Sequence, residues 1–75
     1  EASAKLKWEK VEGAKGYKIY WRDTTSPTWD NSRYVGDVSE FTLDGIVIDN
    51  YFFGISSVGE KGFESPVVFP NSVMR

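Results

Sequence analysis

Seventy-five residues with a net charge of −2, no cysteine and no histidine make one small domain, held by neither a disulfide framework nor the usual Cys/His zinc sites. The acidic balance excludes the basic face that nucleic-acid binding needs, and no apolar run approaches the ~20 residues of a membrane span. What remains to stabilise so short a chain is ring packing. The sequence holds three Trp, four Tyr and five Phe, each able to bury roughly 150–250 Å².

In chain order, "AKLKWE" sets Ala4, Leu6 and Trp8 against Lys5, Lys7 and Glu9, the alternation of a half-buried strand. "VEGAKG" is a turn framed by two glycines. "YKIYWR" then places Tyr17, Ile19 and Trp21 inward and Lys18, Tyr20 and Arg22 outward. "DTTSPTWDNS" is polar, contains Pro27 and reads as a loop. "RYVGDV" is a short strand interrupted by Gly-Asp. "EFTLDG" points Phe41 and Leu43 inward and ends in an Asp44-Gly45 turn. In "NYFFGISSV", Tyr51, Phe53, Ile55 and Ser57 share one face, and Phe52, Gly54 and Ser56 the other. "GEKG" turns the chain into "SPVVFP", a last strand fenced by Pro66 and Pro70, which suits a sheet edge. Six short strands without a helix predict an all-β antiparallel sandwich spanning residues 1–75 as a single domain.

The ordered set of these features resembles a fibronectin type III module, an immunoglobulin-like sandwich. Trp8 matches that family's early Trp, and Tyr17, Ile19 and Trp21 match its Tyr-x-hydrophobic-x-aromatic strand. Phe41, Leu43 and Ile46 fit the segment before the corner tyrosine, Tyr51, Phe53, Ile55 and Ser57 the strand that follows, and Gly62 with Ser65 the end. The similarity covers residues 4 to about 69. Two departures stand out. The spacing from Ile46 to Tyr51 is one residue short, so the tyrosine corner is expected to be built differently. The family's first strand is also absent ahead of Ala4, which leaves "AKLKW" as an open sheet edge inviting another chain. The expectation is therefore self-association through that edge, or an N-terminal segment bent back over it. The run from "GYKIYWRDTTSPTWDNSRYVGDV" to "SPVVFP" is also similar to the C-terminal β-domain of some bacterial secreted zinc aminopeptidases. That resemblance implies that zinc ligands and catalytic carboxylate lie outside this chain.

Chemistry in the chain itself is limited. Nucleophilic catalysis of the Ser-His or Cys-His kind needs a histidine base. Asp30, Asp37, Glu40, Asp44 and Asp49 all fall in predicted turns, where carboxylates shape turns and face water. The oxygens of "DTTSPTWDNS" could wrap a calcium ion but match no standard ligand pattern. The reading is a non-enzyme with no catalytic residue, no metal site and no cofactor.

Tyr20 and Phe52 point away from the core on strands expected to be neighbours. They form either a cross-strand pair shielding the backbone or, with Trp29, Tyr34 or Phe63, a patch that docks on another domain. Trp29, in a polar loop, must be covered by the module's own rim or by a partner. The expected function is that of a non-catalytic accessory or interaction module, extracellular, periplasmic or on a cell surface. Its expected partner is a catalytic domain of the same parent chain. Two alternatives share the fold: a carbohydrate-binding module stacking sugars on Trp29, Tyr34 or Tyr20, and a cell-surface adhesion domain. Coplanar exposed rings would favour the sugar reading.

Overall fold

Alternation in the sequence becomes six strands in the computed structural model, which describes residues 2–74. They are β1 (Ser3–Lys7), β2 (Gly16–Asp23), β3 (Asn31–Gly36), β4 (Glu40–Asp44), β5 (Tyr51–Val58) and β6 (Ser72–Met74). They form two antiparallel sheets of three strands, ordered β4-β1-β6 and β3-β2-β5. The inward residues of both meet in one core: Ala4, Leu6, Trp8 and Leu43 from one side, Tyr17, Ile19, Phe53 and Ile55 from the other. Trp21, Phe41, Tyr51 and Val73 close around it, partly buried. Period-2 patterning works here because alternate residues of each strand enter the shared dry core, although on the outer face of the second sheet Gly54 and Ser56 are buried as well. The outer face of the first sheet carries Lys5, Lys7, Glu40 and Thr42, with Lys5 and Glu40 paired at 3.2 Å.

Local chemistry sets the turns. Asp44 closes β4 and Gly45 follows at φ 78°, a left-handed conformation that glycine adopts without steric cost. In place of longer helices the described residues contain two single 3₁₀ turns, Ile48–Asn50 and Glu60–Gly62. The phenol that bonds back to nearby backbone belongs to Tyr17, whose oxygen accepts the Val11 N–H. This bond ties the β1–β2 connection onto the core.

Two expectations about the edges are corrected. The β1 strand is not an open edge. It lies between β4 and β6, with Lys5, Leu6 and Lys7 opposite Met74, Val73 and Ser72. The covering segment is C-terminal, not an N-terminal one bent back. The last strand is Ser72–Met74 and not "SPVVFP". Residues 64–68 run beside β5 but touch its ladder only at two isolated bridges, Val58 with Glu64 and Ile55 with Val68. Pro66 and Pro70 carry no N–H, so no continuous ladder forms between them. Two carboxylates expected in turns, Glu40 and Asp44, lie instead at the two ends of β4.

Candidate functional site

The outer face of the β3-β2-β5 sheet holds most of the rings singled out above. Lys18, Tyr20 and Arg22 project from β2, and Phe52, Gly54 and Ser56 lie across from them on β5. Tyr20 faces Gly54 rather than an aromatic partner, and Arg22 faces Phe52. Trp29 fills the space over Gly54. Its six-membered ring lies close enough that a Cβ on Gly54 would stand 3.1 Å from it, and 2.3 Å from the Val67 side chain. The expected Tyr20–Phe52 ring pair is thus replaced by a chain of contacts. Tyr20 packs on Trp29 at 6.2 Å, and the Arg22 guanidinium sits over Trp29 at 5.1 Å and over Phe52 at 5.3 Å. Phe52 reaches the group only through Arg22, because the residue opposite it in the ladder is the arginine.

Trp29 is therefore half-buried against its own module. The loop that carries it is tied down by its own carboxylates. Asp23 accepts from the Thr25 amide and hydroxyl, and Asp30 from the hydroxyls of Ser26 and Thr28. Those bonds hold both carboxyls below their ordinary range. The same oxygens were the candidate calcium ligands, and here they serve the loop. Among the described residues no group of three acidic or other ligating side chains could hold a metal ion.

Beside the rings, Glu64 closes the face. Its carboxylate accepts from the Tyr20 hydroxyl and from Ser56 Oγ at 2.8 Å, and lies 3.9 Å from Lys18 Nζ. The Tyr20 bond holds this carboxyl below the ordinary glutamate range against some desolvation, with Ser56 and Lys18 adding to it. Partial burial, then the Glu64 bond and charge, push the Tyr20 phenol up. A carboxyl depressed in the folded state stabilises the fold above its unfolded pKa and loses that contribution as pH falls through the folded value. Stability is therefore expected to fall on acidification below about 4.3, the ordinary glutamate value. Glu64→Gln should flatten that slope, measured by thermal melts across pH 2.5–6 as a rough range.

Tyr34 stands apart from this group. It lies opposite Lys18, with its phenol over Gly16 at the far end of β2, and is exposed. The sheet face thus brings Tyr20, Trp29 and Phe52 together and leaves Tyr34 separate. Tyr20 and Trp29 are tilted by 59°, which makes no flat platform for a sugar.

The most exposed rings are elsewhere. Phe63 and Phe69 are 76% and 78% exposed, and Val68 and Val11 stand exposed near them. A cavity of about 100 Å³ runs between Val11, Val68 and Phe69 down to Trp8, Tyr17 and Ile55. A shallower groove of about 320 Å³, sharing Val11, Ser57 and Ser65, extends to Phe63. Sequence reasoning named Phe63 as a contributor but missed Val11, Val68 and Phe69. The signal was present in Pro66 and Pro70, which keep this stretch at an edge.

The chain is 43% identical over 70 residues to a probable zinc metalloprotease of Pyricularia oryzae, covering 87% of the chain and 14% of that protein. It is 39% identical over 71 residues to probable zinc metalloproteases of Pyrenophora tritici-repentis and Phaeosphaeria nodorum, covering 16% and 14% of them. It therefore spans only about one-seventh of these relatives. They are fungal, where the sequence resemblance pointed to bacterial proteins; the zinc-peptidase association is common to both. No family model and no solved structure matches the chain.

Proposed function

We propose that this chain is a non-catalytic accessory module of a zinc metallopeptidase, built on the fibronectin type III plan, and that it docks on the catalytic part of the same polypeptide. One observation carries the reading. Proteins named as probable zinc metalloproteases share this stretch at about 40% identity, yet it contains no histidine or cysteine. Peptidase zinc is held chiefly by His with carboxylates, so the chemistry lies in the rest of such a protein. The two-sheet arrangement, with residues 64–68 alongside β5, supports the fibronectin-like plan.

The docking surface in this reading is the rim of Val11, Phe63, Val68 and Phe69, with Phe52 and Tyr34 as outlying contacts. Tyr20 and Trp29 act as its support. They are engaged by Glu64 and Arg22, and so hold Glu64, at the start of this stretch, in place. The tilted, self-covered rings disfavour sugar stacking. A secreted setting accompanies the proposal.

The test is backbone amide exchange on the isolated chain and on the full-length product of its own gene. Docking slows exchange across residues 63–69 about tenfold or more in the longer protein. Equal rates would mean that the module is tethered without being docked.

A further inference from the structure

The apolar rim carries charge of one sign. Glu9 lines the small cavity with Val68 and Phe69, and Glu12 and Glu64 line the shallower groove with Val11 and Phe63. Neither hollow has a lysine or arginine in its lining. Glu64 is already engaged by Tyr20, Ser56 and Lys18. Glu9 and Glu12 are exposed and have no ion-pair partner among the described residues. Lys10, between them in sequence, is held 3.4 Å from Asp37.

Each of these two carboxylates shares its hollow with one exposed ring, Glu9 with Phe69 and Glu12 with Phe63. A guanidinium answers both groups at once, because it stacks on an aromatic face and donates to a carboxylate from its edge. The chain uses rings in this way elsewhere: Arg22 lies over Trp29 and Phe52, and Arg33 over Phe41 at 5.0 Å. On the rim the rings have no such cover. Below them the cavity of about 100 Å³ is floored by Trp8, Tyr17 and Ile55. An apolar cavity of roughly 150 Å³ admits a benzene-sized group, so this one has room for a single aliphatic side chain.

We propose that the surface this rim meets is basic: a segment of the catalytic part that puts one aliphatic side chain into the cavity and arginine side chains over Phe69 and Phe63, against Glu9 and Glu12. Charge complementarity selects this occupant. A purely apolar surface would bury both carboxylates unpaired, which opposes association. An acidic surface would set like charges together, and so would a second copy of this chain docking through the same rim. The proposal rests on the docking reading and adds to it the chemistry of the partner. Because the carboxylates stand at an exposed rim, their attraction is open to screening by salt.

The test is amide exchange on the full-length product of the gene, in about 0.05 M and about 0.5 M sodium chloride, with and without the paired substitutions Glu9→Lys and Glu12→Lys. Residues 63–69 are expected to exchange at least about threefold faster at the higher salt. In the charge-reversed protein they should exchange about tenfold faster than in the unsubstituted one at low salt. The amides of the core residues Leu6 and Ile19 should keep their rates in every sample, which shows the fold to be intact. Protection that ignores both salt and charge reversal would overturn this inference and leave docking standing. Salt sensitivity without a response to the substitutions would overturn the assignment to Glu9 and Glu12. Rates in the unsubstituted protein equal to those of the isolated chain would overturn docking itself, and this inference with it. The salt series needs no substitution, so it decides the matter even where the double variant fails to fold.

Discussion

Trp8→Ala is expected to abolish the cooperative unfolding transition of the isolated chain. Trp8 is 6% exposed and packs on Tyr17 with ring centroids 5.7 Å apart and planes at 48°. Its Nε1–H has no hydrogen-bond partner among the described residues, so its worth is packing and apolar burial. Its backbone N–H donates to Ser39 O at 2.9 Å and survives the substitution. Truncating a buried Trp costs about 3–5 kcal/mol. A core of this size supplies only about that much net stability, so the loss is comparable to the whole. Trp8→Phe, which keeps a ring beside Tyr17, should retain a two-state melt at reduced temperature. Circular dichroism melts of both variants decide the matter. A Trp8→Ala melt within a few degrees of the unsubstituted chain would show that the core is not centred on this ring.

Gly54→Ala is expected to destabilise the chain and release Trp29. The added methyl would meet Val67 Cγ1 at 2.3 Å and the Trp29 ring at 3.1 Å. Both are side chains, so the structure yields by moving them, and overpacking of this kind costs about 1–3 kcal/mol. The displaced indole leaves Tyr20 and Arg22, a red shift in tryptophan emission reports its exposure, and the Glu64 clamp weakens with it. Unchanged emission and an unchanged melt would mean that Trp29 does not rest on Gly54.

Much of this fold is legible in the sequence because its rule is simple. Where Lys5, Lys7 and Lys18 alternate with Leu6, Trp8 and Ile19, one face must be dry, and the pairing follows. The C-terminal third is less legible. "SPVVFP" has strand-forming residues, but its prolines remove the donors that a ladder needs. The strand that does form, Ser72–Met74, is too short to show a period, and its partner lies more than sixty residues earlier. Exposure is harder still. Val11 sits in a predicted turn and Val68 and Phe69 in a predicted edge strand, where no alternation gives them a face, and only the tertiary arrangement leaves them on a rim. Trp29 raised the right question, and its answer lay in Gly54, the one position on the outer face of β5 with room for an indole.

The proposed docking of this module on the zinc-peptidase part of its own polypeptide is tested most plainly by amide exchange, compared between the isolated chain and the full-length product of its gene. The expected outcome is a zinc peptidase region elsewhere in that product and slowed exchange centred on the Val11 turn and residues 63–69. A gene product without such a region, or protection falling instead on the polar outer face around Lys5, Lys7 and Thr42, would contradict it.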